Sequence, residues 1–450
     1  AVDVQLSVGM GSTLTLSTAV SGGVMASEVT GNGTAALSIR APISRINLTL
    51  SDSGGLIYRS AQDFNGADVL TMTTDDLGNS GTGGPLTDTD MVPITINPIN
   101  DAPINTVPAT VTTTEDTNLT LSGLAVSDVD AEGANVRLTL ATPGATLAVD
   151  GTVTGGVNAA QISGNNTGTV VLTATVAAIN STLAAMDGLV YQPNTDANGV
   201  DTVTVTLSDL GNTGAGGTLT DTDSITVTVN AVNDAPVNTL SGNRSLAEDS
   251  SLVLTGLAVS DVDAGSAAIQ VSLTVGASAR LSLASTVSGG VTAGQISGNG
   301  SGAVTVTAPL AAMNATLAAT GGLVLRGSTN FSGAVSLMLS LSDLGNTGAG
   351  GALTGGATVA VTINPVNDIP TLAVDNVLTL NEGETQSYDA THTRFDDVED
   401  ASAALTLMLV SAPGNGTLLV SGSPVPAGGS FSQDDLIQGN VSYMHDGSET

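Results

Sequence analysis

The chain has 450 residues, of which 41 are acidic, eight are arginine and none is lysine, so its formal net charge is -33. This balance excludes nucleic acid and anionic membrane surfaces as partners, because both require clustered cationic side chains. Cysteine is absent, which excludes disulfide frameworks and thiolate sites, while a hydrophobic content of 41% argues against disorder.

A tandem repeat organises the chain. Two motifs return with spacings of 133 and 134 residues. The Asn-Asp-x-Pro motif starts at Asn100, Asn233 and Asn367, and the Asp-Leu-Gly-Asn motif starts at Asp76, Asp209 and Asp343. Because a repeat of this length can bury a core of its own, we expect a series of domains and not a solenoid.

The repeat spacing predicts four segments. Residues 101–233 and 234–366 are complete repeats, and residues 1–100 are a repeat that lacks its N-terminal strands, because residues 4–8 align with residues 136–140. Residues 367–450 are expected to lack their C-terminal strands. We therefore expect the sequence to be a window from a longer chain.

Alternation of apolar and polar residues predicts the strands of each repeat. It is clear at residues 119–121, 136–140, 203–207 and 225–229, and Gly- and Asn-rich turns such as residues 211–214 separate these stretches. Several short strands with turns between them are typical of an all-β sandwich. The exception is a helical spacing, which predicts a short amphipathic helix packed as a core plug; it is formed by Ile179, Leu183 and Met186 and, one repeat later, by Leu310, Met313 and Leu317.

The second segment contains several acidic motifs, which include Thr114-Glu115-Asp116, Ser127-Asp128-Val129-Asp130 and Ser208-Asp209-Leu210-Gly211. Together they resemble the cadherin-like repeats of giant bacterial surface adhesins. In the fourth segment, residues 431–436 and 441–450 resemble the chondroitin-sulphate-proteoglycan type of cadherin-like repeat. The resemblance covers nearly the whole chain and implies a linear array of Ig/cadherin-like antiparallel β-sandwich modules.

The acidic residues sort to the two ends of each predicted module. Asp128, Asp130 and Asp209 follow strands that end on one side, whereas Glu115 and the 196–201 loop lie at the opposite end. Carboxylates held a few ångströms apart repel one another and need a cation. Oxygen donors without His or Cys favour Ca²⁺ over zinc or copper. The alternative, that these acids cap turns and keep the surface soluble, explains single residues but not their sorting.

Cadherins similarly bind calcium between modules through an early acid, an Asp-x-Asp pair, a late Asp and an Asn-Asp linker. By this resemblance the first junction comprises Asp63, Asp68, Asn100, Asp101, Asp128, Asp130 and Asp209. The second, the most complete, comprises Glu115, Asp196, Asp201, Asn233, Asp234, Asp261, Asp263 and Asp343. The third comprises Glu248, Asn367, Asp368, Asp397 and Glu399, and should bind weakest because residues 330–333 carry no acid.

Other chemistries fit less well. The pattern at Asp128 and Asp130 imitates the first half of an EF-hand loop, but Thr139 stands where a bidentate Glu is required. His392 and His445 are the two histidines, and we interpret His445 as structural because it lies within the module motif. Without Cys or Lys, a Cys-His pair and a P-loop are impossible, and a Ser-His-Asp triad could lie only in the fourth segment, which has both histidines, so we expect no enzyme.

The sequence therefore predicts a calcium-rigidified structural stalk segment of a very long secreted or cell-surface protein that serves adhesion through a tip outside this segment. The alternative is a subunit segment of a self-assembling extracellular filament or sheath, with further copies of the chain as partners. Direct binding of glycans by the modules has no aromatic platform to support it. Glycosylation is left open at the Asn-x-Ser/Thr triplets of Asn47, Asn118, Asn165, Asn180, Asn299 and Asn314.

Overall fold

A computed structural model describes residues 1–449; Thr450, the last residue of the fourth-segment motif, lies outside the described residues. The chain divides into two compact units, Ala1–Ala231 and Val232–Thr450, which are described separately. Both units are built of mainly antiparallel β-sheets with short helices, so the predicted all-β sandwich class is confirmed.

The first segment contains one five-stranded sheet and one two-stranded sheet in the described part of the chain. Its elements are β1 (Val2–Ser7), β2 (Thr13–Leu16), β3 (Val29–Thr30), β4 (Ala36–Ala41), α1 (Ile43–Leu50), β5 (Leu56–Arg59), β6 (Gly66–Asp75) and β7 (Thr87–Ile96). Strand β1 pairs with β4 and β6.

The second segment contains a six-stranded sheet and a three-stranded sheet. Its elements are β8 (Ile104–Thr106), β9 (Thr110–Thr114), β10 (Leu119–Thr120), β11 (Ala125–Ser127), β12 (Asn135–Ala141), β13 (Ala145–Val149), β14 (Ile162–Ser163), β15 (Thr169–Thr175), α2 (Val176–Leu183), β16 (Leu189–Pro193), β17 (Gly199–Ser208) and β18 (Thr220–Asn230). The larger sheet has the order β14-β15-β12-β17-β18-β9 and the smaller one β10-β16-β13. Strand β9 joins β18 in parallel, and the other pairs are antiparallel.

The third segment repeats this topology. Its elements are β19 (Val237–Asn238), β20 (Arg244–Ala247), β21 (Ser251–Val253), β22 (Val259–Ser260), β23 (Ala268–Thr274), β24 (Ala279–Leu283), β25 (Ile296–Ser297), β26 (Ala303–Pro309), α3 (Leu310–Ala318), β27 (Leu323–Gly327), β28 (Gly333–Ser342) and β29 (Thr354–Asn364). The larger sheet has the order β20-β29-β28-β23-β26-β25 and the smaller one β21-β27-β24. Alternate Val, Leu and Ile side chains of both sheets fill one core.

The fourth segment has a smaller core, centred on Leu418, Phe431, Leu436 and Val441. Its elements are β30 (Thr371–Asp375), β31 (Thr385–Ser387), β32 (Thr393–Asp396), β33 (Thr406–Met408), β34 (Gly416–Val420), β35 (Ser423–Pro424), β36 (Ser430–Ser432), α4 (Gln433–Ile437) and β37 (Val441–His445). The two histidines have structural contacts. Nδ1 of His445 accepts hydrogen bonds from the amides of Gly383 and Gly447, and His392 pairs with Asp389.

The predicted helix is present in both complete repeats, as α2 and α3. Ile179 and Leu183 are buried, and so are Met313 and Leu317. The prediction for Met186 is wrong, because α2 ends at Leu183 and Met186 is 89% exposed. The spacing of Met186 continues the helical period, but residues 184–188 form the turn that leads into β16, and this turn has a positive φ of 59° at Asp187.

Four of the six Asn-x-Ser/Thr triplets named above have an asparagine whose side-chain amide both donates to and accepts from the backbone of one residue. Asn180 accepts from the Val126 amide at 2.8 Å and donates to the Val126 carbonyl at 2.7 Å, which ties α2 to β11. Asn314 clamps Val259 in the same way, and Asn165 and Asn299 clamp Val149 and Leu283. These side chains are used by the fold on both their oxygen and their nitrogen, so the triplets have a structural explanation.

Candidate metal centre

The first junction is built around the linker residues Asn100 and Asp101. The amide Nδ2 of Asn100 donates to Asp209 Oδ2 at 2.5 Å and to the Gly217 carbonyl at 3.0 Å. The backbone amide of Asp101 donates to Asp130 Oδ2 at 2.5 Å, and the amide of Asp130 donates to Asp128 Oδ1 at 2.9 Å. The structure therefore brings four of the predicted carboxylates and the predicted amide together around one linker.

The loop after β17 holds this linker in place. The amide of Asn100 donates to the Ala215 carbonyl at 3.1 Å, and the amide of Ala215 donates to the Pro98 carbonyl at 3.0 Å. Gly214 has φ of 111°, and a Cβ atom there would lie 2.5 Å from the nitrogen of Asn100. Glycine is needed because the loop backbone lies directly against the linker.

Two buried oxygens of this cluster accept no hydrogen bond from the described residues. Asn100 is 7% exposed, and within the described residues its Oδ1 has no hydrogen-bond partner; Asp128 Oδ2 is likewise buried without one. Burial raises the pKa of Asp128, and the neighbouring carboxylates of Asp209 and Asp130 add to this effect. Buried acceptors without donors are costly unless a cation binds them.

Two pockets lie against the first junction. One, of about 270 Å³, is lined by Asp63, Asp101 and Asp130, and the other, of about 400 Å³, by Asp63, Asp101 and Asp128. Asp63 belongs to the loop before β6 and has φ of 55°, which directs the chain around this loop. Both segments thus supply carboxylates to these pockets: Asp63 comes from the first segment, and Asp101, Asp128 and Asp130 come from the second.

The structure places Asp68 elsewhere. Its carboxylate accepts hydrogen bonds from the Tyr58 hydroxyl at 2.8 Å, the Ser12 hydroxyl at 2.9 Å and the amides of Gly9 and Val69. The bond from Tyr58 is the main cause that lowers the pKa of Asp68. Because the oxygens of Asp68 are used inside the first segment, we leave it out of the proposed ligand set.

Asp201 has the same role in the second segment. It accepts hydrogen bonds from the Tyr191 hydroxyl at 2.7 Å, the Thr142 hydroxyl and the Thr202 amide. Burial, followed by the contact with Asp201, raises the pKa of Tyr191. The third segment replaces this polar cluster with Val275, Leu325 and Val335 at the same repeat positions. The cluster therefore cross-links the two sheets of one sandwich, and Asp201 is also left out of the ligand set.

The remaining residues assigned to the second junction are described within each unit. In the first unit, Glu115 is 2% exposed and its Oε2 accepts from Asn198 Nδ2 at 3.0 Å, while the amide of Asp196 donates to Asp116 Oδ1 at 3.3 Å. Sequence reasoning missed Asn198 and Asp116. Asn198 has a visible signal, because Asn65 occupies the same position one repeat earlier.

In the second unit, Asn233 and Asp234 make the same hydrogen bonds that Asn100 and Asp101 make at the first junction. Asn233 donates to Asp343 Oδ2 and to the Gly351 carbonyl, and the amide of Asp234 donates to Asp263 Oδ2 at 2.6 Å. The amide of Asp263 donates to Asp261 Oδ1 at 2.9 Å. Within the described residues, Asn233 Oδ1 and Asp261 Oδ2 are buried acceptors without a donor, as are their counterparts Asn100 Oδ1 and Asp128 Oδ2.

The third junction, inside the second unit, is less complete. Glu248 Oε1 accepts from the Val366 amide at 2.6 Å, the amide of Asp368 donates to Glu399 Oε2 at 3.0 Å, and Asp397 Oδ1 accepts from the Glu399 amide. Glu248 Oε2 and Asp368 Oδ2 are buried without partners among residues 1–449. Asn367 is exposed and bonds only locally, because the described part of the fourth segment offers no counterpart of Asp209.

Comparison with known proteins supports part of this interpretation. The family model described as "Cadherin-like" matches residues 370–450. The chain is 30% identical over 93 residues to human FRAS1-related extracellular matrix protein 2, and 30% identical over 95 residues to mouse extracellular matrix organizing protein FRAS1. Each alignment covers 21% of this chain, which spans only 3% and 2% of the length of these relatives.

Solved structures of cadherins are also similar to the chain. Extracellular cadherin domains 1-5 of protocadherin gamma B2 match with 14% identity and a TM-score of 0.32, covering 95% of this chain and 66% of that one. Mouse cadherin-23 EC22-24 matches with 16% identity and a TM-score of 0.28, covering 79% and 87%. The family model matches the fourth segment, as its motifs predict, whereas an origin in a bacterial adhesin stays a prediction.

Proposed function

We propose that this chain is a structural segment of an extracellular protein, in which calcium at the junctions between cadherin-like modules holds the modules in fixed orientations for adhesion or surface attachment. The four segments 1–100, 101–233, 234–366 and 367–450 are the proposed modules. The relatives that match are named as extracellular matrix proteins, which favours an extracellular location. In residues 1–449 no helix is long and apolar enough to cross a bilayer.

The observation that carries the proposal is the pair of buried, unpaired oxygens at the first junction, Asn100 Oδ1 and Asp128 Oδ2. They lie in a cluster with Asp101, Asp130 and Asp209, so all the side-chain atoms available as metal ligands are hard oxygens. Calcium takes six to eight such ligands with flexible geometry. When bound, the ion would neutralise the repulsion among the carboxylates.

The protein residues supply the rigidity. Asn100 and Asp101 are fixed by backbone and side-chain hydrogen bonds to the second segment, and Asp63 belongs to the first. A cation held by Asp63 and by Asp101, Asp128 or Asp130 would therefore tie the two segments together. A structural role of this kind requires no catalytic residue.

A calcium titration of the whole chain tests the proposal. We expect calcium to bind, and the double variant Asp101→Asn/Asp128→Asn to lose the first-junction sites, with affinity there reduced by at least ~tenfold because ligand charge sets calcium affinity. Asp150→Asn is the matched control, because Asp150 caps an exposed turn through Thr152 and lies outside the cluster. Equal calcium binding by the wild type and the double variant would contradict the assignment.

The second candidate function, a subunit segment of a filament or sheath, requires a surface through which copies of the chain associate. One observation favours it: the outer face of the larger sheet in the third segment carries no charged side chain.

A further inference from the structure

The outer face of the larger sheet in the third segment carries no charged side chain, and the structure describes this segment completely. Its outward residues are mostly Ser, Thr and Ala, with Met338 near the centre. Ser336, Met338 and Ser340 alternate with the buried Val335, Leu337 and Leu339 along β28. We name this surface the hydroxyl face and define it by the outward residues of β20, β23, β25, β26, β28 and β29.

The register confirms that these residues form one continuous surface. Ser340 lies opposite Ser272 on β23 and opposite Gly356 on β29, and Ser272 lies opposite Thr305 on β26, with their hydroxyls 3.2 Å apart. Met338, 55% exposed, lies opposite Thr274 and Thr358. The second segment repeats the pattern on its larger sheet, where Arg137 is the one outward charge in a segment that is fully described.

This absence of charge contrasts with the rest of the molecule. The chain carries 49 charged side chains and a net charge of -33. The smaller sheet of the same segment exposes Arg280 and Arg326, which lie directly opposite each other on β24 and β27. The hydroxyl face is therefore a surface that a like-charged molecule can approach without burying an unpaired charge.

We propose that the hydroxyl face binds the same face of a second copy of this chain. Each Ser and Thr hydroxyl both donates and accepts a hydrogen bond, so such a face is complementary to itself in a two-fold arrangement. Small side chains allow two sheets to approach to about 10 Å. The described face contains no aromatic ring, which disfavours a sugar ligand.

The size of the face sets the strength expected of this association. Six strands spaced about 4.8 Å apart, with an average length near 23 Å, give roughly 600 Å² per copy. A pair of such faces buries about 1,200 Å², the lower limit of specific interfaces. The association should therefore be weak, and raising the salt concentration should strengthen it by screening the acidic surface elsewhere.

Sedimentation of the whole chain with saturating calcium, from micromolar to near-millimolar concentration and at low and high salt, tests the proposal. We expect reversible association that grows with salt. Ser340→Glu and, separately, Thr358→Glu should weaken it by at least ~tenfold, because like charges then meet across the interface. Ser282→Glu adds the same charge to the exposed face of the smaller sheet and should leave association unchanged.

Thermal unfolding shows whether each variant is folded. Ser340 and Thr358 are exposed, which favours a native fold for the variants at these positions. A wild-type chain that stays monomeric at all concentrations and salts would overturn the proposal. Association that the three variants share with the wild type would place the contact on another surface and would overturn it as well. Calcium binding is independent of these outcomes, so failure here leaves the junction proposal intact.

Discussion

At the scale of single residues, the acids of the chain divide into two classes that look alike in sequence. Asp128 and Asp130 have oxygens directed to a shared cluster, whereas Asp68 and Asp201 bind a tyrosine hydroxyl inside a sandwich. The resemblance to cadherin repeats predicted all four as ligands. A tyrosine ten residues before the aspartate distinguishes the second class: Tyr58 precedes Asp68, and Tyr191 precedes Asp201. The third repeat has Leu325 at this position.

The tyrosine cluster gives a prediction at this scale. Tyr191→Phe should lower the free energy of unfolding by about 1–2 kcal/mol, since it removes one of the two hydroxyl hydrogen bonds to Asp201 Oδ2 and leaves only the bond from Thr142. Calcium affinity should not change, because Asp201 is outside the proposed ligand set. Urea unfolding and a calcium titration of the same samples measure both quantities.

The third segment offers a matched control for this variant. The triple variant Thr142→Val/Tyr191→Leu/Asp201→Val copies Val275, Leu325 and Val335, so it removes donors and acceptor together. The triple variant should lose less free energy of unfolding than is expected from adding the losses of its other two substitutions to that of Tyr191→Phe. A loss of calcium binding in either variant would return Asp201 to the ligand set.

At the scale of elements, the loop after β17 is what gives the linker its position. Its sequence of glycines predicted turns but did not show that the loop pairs with residues 98–100. The strands themselves were predicted well, because period-two alternation directly reports a half-buried strand. The end of α2 was not, because the helix ends at Leu183 and Met186 lies in the turn of residues 184–188, although its spacing continues the helical period.

Gly214→Ala tests the loop. A Cβ atom at this position meets the nitrogen of Asn100 at 2.5 Å, and φ of 111° is strained for alanine. We expect a loss of about 1–3 kcal/mol in the free energy of unfolding and weaker calcium binding at the first junction.

Gly217→Ala is the control within the same loop, because its Cβ atom would meet nothing within 4 Å. It should match the wild type in both urea unfolding and calcium titration. If the two alanine variants behave alike, the close approach of the loop to Asn100 does not position the junction.

At the scale of the whole molecule, the junctions are expected to differ in calcium affinity. The third junction has an exposed Asn367 in place of the buried Asn100 and Asn233, and Asn330 in place of Asp196. Repeat alignment alone predicted this weakness from the missing acid. It did not show that the linker asparagine would lose its buried position, because that depends on a partner from the following segment.

A titration that resolves classes of sites tests this order. Glu399→Gln should remove only the weakest class, because Glu399 accepts from the Asp368 amide at the third junction. Asp130→Asn should remove a tighter class, because Asp130 has the equivalent contact at the first. Loss of the tightest class from Glu399→Gln would reverse the proposed order.

Small-angle scattering of this chain in millimolar calcium, and then in excess chelator, tests the central claim most directly. If calcium fixes the junctions, the particle should be extended and rigid with calcium and should become flexible on chelation, and the Asp101→Asn/Asp128→Asn variant should show part of that flexibility even with calcium. A wild-type profile that is the same in both buffers would contradict calcium-held modules.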